Sequence, residues 1–109
     1  MPTRVKILPS DKIRIGQIEL SYLNRSVLLS GELIETTGLE FNLLAVLMTG
    51  AGSLISRESI AERIFQRKLG LCDKSINSHM TNLRKKFLAI SSRPIIKTVR
   101  GQGYIFLNA

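Results

Sequence analysis

The feature that most constrains this chain is a stretch of about one dozen residues that is apolar on nearly every side. From Gly38 to Thr49 a helical spacing puts Leu39, Leu43, Val46 and Leu47 on one side and Phe41, Leu44 and Met48 on the other. A helix with no wet face has to be buried between layers of other structure, so this segment is expected at the centre of the core. Its start is marked by Thr37-Gly38-Leu39-Glu40, the S/T-x-x-E pattern in which Thr37 and Glu40 satisfy each other's backbone donors. Its end is marked by Gly50-Ala51-Gly52.

On either side of this helix the apolar period changes. Upstream, Ile13 and Ile15 alternate, as do Ile18, Leu20 and Tyr22, followed by Val27–Leu29 and Leu33-Ile34. Gly16, Asn24-Arg25 and Ser30-Gly31 interrupt these runs, which predicts a small antiparallel sheet of three or four strands. Downstream, Leu54-Ile55 forms a short extended piece and Ser56 is placed to cap a second helix ending near Arg67. In that helix Ile60, Ala61, Ile64 and Phe65 make the apolar stripe. Gly70-Leu71-Cys72 is expected to be a tight link, and Asp73 the cap of a third helix reaching about Leu88. Two strands close the chain, 95–99 and 104–107, joined by the glycine-rich tip Arg100-Gly101-Gln102-Gly103.

The expected fold is therefore α+β. It has an N-terminal antiparallel sheet of three to four short strands, three helices and a C-terminal β-hairpin, the outline of a winged helix-turn-helix. Residues 12–109 form one domain. Residues 1–11, polar and containing Pro2 and Pro9, are expected to be a linker stub or disordered tail.

Charge narrows the partner. The net charge is +8, and up to Ser56 five basic residues face five acidic ones. From Arg57 onward there are eleven basic residues against Glu58, Glu62 and Asp73, so the whole excess lies in the second half. Clustered positive charge suits a polyanion, since each neutralised phosphate releases counterions. An acidic protein or a membrane surface would also attract it. No apolar stretch approaches the roughly 20 residues of a membrane span, and the start lacks a secretory h-region, so a cytoplasmic location is expected. Cys72 is alone, which excludes an internal disulfide, and no metal site or cofactor is expected.

The third helix has two contrasting sides. Ile76, Met80, Leu83 and Phe87 form its core stripe, while Lys74, Ser78, Thr81 and Lys85 stack opposite, flanked by Ser75 and Asn82. From Lys74 on, the outward side has no acid and mixes small polar residues with long basic ones. Such a face suits the major groove, where small residues allow close approach, amides pair with adenine, and Lys or Arg reach guanine or phosphate. Arg84-Lys85-Lys86 would also serve merely to complement the helix dipole. His79, the lone histidine, reads as a packed or phosphate-contacting residue rather than a metal ligand. The GxG of the hairpin tip precedes a strand instead of opening a helix, which excludes a dinucleotide loop. Arg100, with Lys97 and Thr98 beside it, sits where a wing could reach phosphate.

Together these segments resemble the effector domain of OmpR/PhoB-type response regulators. TGLEFNLLAVL is similar to that family's core helix, SRESIAERIF to its second helix, and the run from Lys74 to Lys86 with TVRGQGYIF to its recognition helix and wing. The spacing through Phe65–Leu69 and Ser78–Arg84 most resembles CpxR-type envelope-stress regulators. The resemblance implies sequence-specific binding of double-stranded DNA in a two-component system controlling transcription. The recognition helix, 73–88, would enter the major groove and the wing, 95–107, would lie toward the minor groove, in head-to-tail pairs on direct repeats. It implies that Lys74, Ser75, Ser78, His79, Thr81, Asn82 and Arg84 face DNA, joined by Lys85 from the reading of the helix face. Thr98 and Arg100 would act from the hairpin, and Tyr104 would brace its base or touch phosphate. The turn 68–72 would be the place for RNA polymerase, and a receiver domain would belong to the full-length protein. Two departures stand out. Asn77 replaces the usual aspartate, removing any ion pair made there, and Thr81 and Asn82 replace arginines of some relatives, which implies a different base preference.

Three other classes compete. A protein-interaction module on the same scaffold would be expected to show aromatic anchors on the outward face of the third helix, and none lies there. Single-strand or RNA binding relies on exposed stacking aromatics, and the six aromatic residues fall mostly at core positions. An enzyme would need paired carboxylates, a nucleophile–base pair or a metal cluster, and no such constellation is visible.

Overall fold

The computed structural model describes residues 12–66 and 69–107; the expected tail, 1–11, lies outside them. The chain begins with four short strands, β1 (Lys12–Ile15), β2 (Ile18–Ser21), β3 (Ser26–Leu29) and β4 (Glu32–Ile34). They pair in sequence order as an antiparallel meander. The register puts Ile13, Leu20, Val27 and Ile34 in one row and Ile15, Ile18 and Leu29 in the next, all on the same side. That side is the core side, because period-two alternation sends every second residue inward. Arg14, Glu19, Leu28 and Leu33 line the outer side by the same register. The break at Ser30-Gly31 is a two-residue turn with positive φ at both positions, the conformation that matches the twist of a tight hairpin.

Helix α1 (Gly38–Thr49) starts with both halves of the capping box in place. The Glu40 backbone N–H donates to Thr37 Oγ1 at 3.1 Å, and Thr37 N–H donates to Glu40 Oε1 at 3.0 Å. Phe41, Leu43, Leu44, Leu47 and Met48 are buried, with Val46 and Leu39 half-buried. The helix touches β1 on one side and the later helices and hairpin on the other, as an all-round apolar helix must. Glu40 is buried too, and its Oε1 also accepts from Lys86 Nζ at 2.5 Å. Lys86 is thereby the buried carboxylate's counter-charge and not only a dipole complement. Arg25 ties the β2–β3 turn to the same helix, lying 4.4 Å from the Phe41 ring centroid and donating to Asn42 Oδ1 at 3.1 Å.

After α1 comes β5 (Leu54–Ser56), then α2 (Arg57–Ile60), capped by Ser56 Oγ accepting from Ser59 N–H at 3.0 Å. A wider π-helical turn, Ala61–Phe65, continues α2 and ends at Gln66 in the left-handed region, φ 55°. The expected tight link at Gly70-Leu71-Cys72 is not there. Residues Leu69–Leu88 form one helix, α3, and Asp73 lies inside it rather than capping it. The chain reversal uses Gln66, whose positive φ no glycine announces, whereas Gly70 is absorbed in the first turn of α3. The turn expected over 68–72 as a place for RNA polymerase is likewise not a turn over Leu69–Cys72, which is helical, and Lys68 lies outside the described residues.

The hairpin consists of β6 (Ile96–Val99) and β7 (Gly103–Phe106). It is not alone. β5 pairs antiparallel with β7, giving a three-stranded sheet in the order β5-β7-β6. Ile76, Met80, Leu83 and Phe87 of α3 close the core against Ile96, Tyr104 and Phe106, every one of them buried. The architecture is the expected winged helix-turn-helix, with the sheet, the helices and the hairpin around one core.

Candidate nucleic-acid interface

The core stripe of α3 fixes which of its residues point away. Burying Ile76, Met80, Leu83 and Phe87 turns Lys74, Ser75, Ser78, Thr81, Asn82 and Lys85 outward, and all six are exposed. Between Lys74 and Leu88 this surface has no acidic side chain. Arg100 and Gln102 are exposed at the hairpin tip, where Gly101 takes φ 76° and Gln102 N–H donates to the Val99 carbonyl at 2.9 Å.

Four of the expected site residues have other engagements. His79 is half-buried and stacks on Phe65, with ring centroids 6.3 Å apart and planes 29° apart. Arg84 is half-buried as well. Its Nη2 donates to the Ile96 carbonyl at 3.0 Å and to Thr98 Oγ1 at 2.5 Å, so both Arg84 and Thr98 are used in joining α3 to β6. Tyr104 is buried with its hydroxyl in a polar knot, as expected for a residue bracing the hairpin base. The guanidiniums of Arg57 and Arg84 lie 5.9 Å and 5.7 Å from its ring centroid, within cation–π range.

Two members of that knot were not among the expected site residues. Arg57, the first residue of α2, donates from Nη1 to Tyr104 Oη at 2.8 Å and to Asn77 Oδ1 at 2.9 Å. Tyr104 Oη lies 3.3 Å from the same Asn77 oxygen. Asn77 is uncharged, so its amide oxygen joins Arg57 and Tyr104 without an ion pair. The sequence signals for Arg57 were its position after the Ser56 cap and its place in the SRESIAERIF segment, and nothing local foretold that Tyr104, 47 positions on, would meet it. The outcome is a hairpin bonded to α2 and α3 at separate points, so the exposed helix face and the hairpin tip are held as one surface.

Residues 31–106 match the family described as "Transcriptional regulatory protein, C terminal". The chain belongs to this family. Members of the transcriptional regulatory C-terminal family to which it is similar include the transcriptional regulatory protein CpxR of Escherichia coli K12 and that of Klebsiella pneumoniae. Each is 31% identical over 101 residues, covering 92% of this chain and 44% of the relative. The chain thus spans less than half the length of these curated relatives. Among solved structures, the K. pneumoniae RstA DNA-binding domain in complex with the RstA box superposes with a TM-score of 0.80 at 31% identity, covering 90% of this chain and 98% of that one. The DNA-binding domain of E. coli CpxR gives 0.80 at 30% identity, covering 90% and 97%. The resemblance to OmpR/PhoB-type effector domains, and to the CpxR branch in particular, therefore holds across both sequence and fold. Among the described residues no three of His, Cys, Asp and Glu gather as a metal site, and no helix is long and apolar enough to cross a membrane.

Proposed function

We propose that this domain binds double-stranded DNA sequence-specifically, as the effector domain of a two-component response regulator that controls transcription in the cytoplasm. The observation that carries the reading is the exposed, acid-free face of α3 held in fixed relation to a basic hairpin tip. In this reading α3 lies in the major groove. Lys74, Ser75, Ser78, Thr81 and Asn82 approach base edges, and Lys85 reaches phosphate. The hairpin points toward the minor groove with Arg100 leading. Arg84, Thr98 and Tyr104 act chiefly by holding that geometry, and His79 lies at its edge.

The relatives named above are transcriptional regulators, and one of the similar domains was solved on its own DNA box. Both facts support the reading. It extends to head-to-tail pairs on direct repeats, to a receiver domain in the full-length protein, and to RNA polymerase meeting the start of α3. It assigns the chain no enzymatic activity and no cofactor.

Selection from a random duplex pool at near-physiological salt tests the reading. The expected result is a short motif repeated in one orientation about one helical turn, roughly 10 base pairs, apart. Asn82→Ala and Ser78→Ala should each relax one position by about 1–3 kcal/mol, whereas Lys85→Ala should weaken all sequences alike and lower the salt slope by roughly one. Retention without any motif would leave only charge-driven binding and defeat the proposal.

A further inference from the structure

Asn77 has a use beyond the polar knot it helps to build. Its Oδ1 accepts from Arg57 Nη1 at 2.9 Å and lies 3.3 Å from Tyr104 Oη. Only the oxygen end of a primary amide accepts, so these two donors decide which way round the amide sits. The Nδ2 end, with two N–H donors, takes part in no hydrogen bond among the described residues. The residue itself is exposed.

Its place on α3 gives that free end a direction. At 100° per residue, Asn77 stands about 40° around the helix from Thr81, on the same flank as Arg84 seven positions later. Arg84 is the residue bonded to β6, so this flank is the seam between the exposed face of α3 and the hairpin. A donor fixed there meets whatever occupies both the helix face and the hairpin tip.

We infer that Asn77 is a DNA-contacting residue that acts solely as a hydrogen-bond donor, to an acceptor oxygen or nitrogen of DNA at the junction of helix and wing. The inference rests on the DNA-binding reading above. Asn82 is exposed with no bond to either end of its amide among the described residues. It can therefore grip adenine through a donor and an acceptor together. Asn77 cannot, since its acceptor is taken. Its targets are groups that only accept: a phosphate oxygen, guanine O6 or N7, or thymine O4. The two asparagines of α3 thus divide their work, one discriminating by a two-sided pattern and the other supplying a single pinned donor.

The test uses the selected duplex and the side-chain amide signals of the protein in solution. The Asn77 pair is identified as the one lost in Asn77→Asp. On adding duplex, it should shift and gain protection from exchange together with the Asn82 pair. Asn77→Asp offers Arg57 and Tyr104 a better acceptor, so its melting temperature should not fall. Its affinity should drop about tenfold or more, the size of a lost hydrogen bond to a strong acceptor. In Asn77→Ala, relaxation at one base position identifies a base acceptor, and uniform weakening identifies a phosphate. If the Asn82 pair moves and the Asn77 pair does not, Asn77 is a structural residue only and the inference is overturned. If neither moves, the reading of α3 itself fails and takes this inference with it.

Discussion

The two sheets of this domain are held in place by different physics. The N-terminal sheet, β1–β4, joins neighbours in sequence through short turns and is fastened mainly by burying Ile18, Leu20, Val27, Leu29 and Ile34. The C-terminal sheet gathers β5 from before α2 and places it beside β7, half a chain away. Its attachment to the helices adds directional bonds, from Arg84 to β6 and from Arg57 to Tyr104. Burial is non-directional and roughly proportional to area, so it makes a firm platform that does not specify a fine angle. A guanidinium donating to two atoms on one strand does specify an angle. The part proposed to touch DNA is the part with directional fastening.

Breaking each kind of fastening should therefore give different results. The largest effect is expected in the platform. Leu20 has no exposed surface, and Leu20→Ala should cost about 2–5 kcal/mol of unfolding free energy by chemical denaturation. The motif selected from random DNA should stay the same; a changed motif would show that the platform also sets the reading geometry.

Gly103→Ala comes next. A Cβ there would stand 2.1 Å from the Ile55 carbonyl oxygen and 2.9 Å from Ser56 Cα, both backbone atoms of β5. The strand would have to move away, at about 1–3 kcal/mol or somewhat more. Here the stability loss should be accompanied by weaker DNA binding, because the hairpin loses its outer neighbour. Full affinity in a destabilised Gly103→Ala variant would mean that β5 does not position the wing.

The smallest and most informative change is Arg84→Lys. It keeps the charge but not the forked hold on the Ile96 carbonyl and Thr98 Oγ1. It should cost about 1 kcal/mol and speed amide exchange in β6 of the DNA-free protein. If exchange in β6 is unchanged while binding weakens for all DNA sequences alike, Arg84 is a phosphate contact and not a brace.

Much of this was legible locally. The breaks at Gly16, Asn24-Arg25 and Ser30-Gly31 fall at the turns of the first sheet, and the Thr37–Glu40 box and the Ser56 cap are present with their bonds. The core stripe of α3 and its exposed opposite side follow from a spacing of three and four residues. The start of α3 is not legible locally because Gly70 looks like a breaker, while the left-handed residue after α2 is Gln66, a residue type with no strong turn signal. Arg84 and Thr98 lay on the expected interface, but the direction of Arg84 depends on a strand that begins twelve residues later.

By itself the sequence determined the order of elements, the burial of α1 on most of its sides and the acid-free outer side of α3. Periodicity, caps and turns act over a few residues, where chain connectivity already holds the interacting groups together. Only the tertiary structure decided that β5 joins the hairpin, that Lys86 answers the buried Glu40, and that Arg57, Asn77, Tyr104 and Arg84 meet around one ring. Those contacts join residues far apart in the chain, and each long side chain has many partners within its reach until packing selects among them.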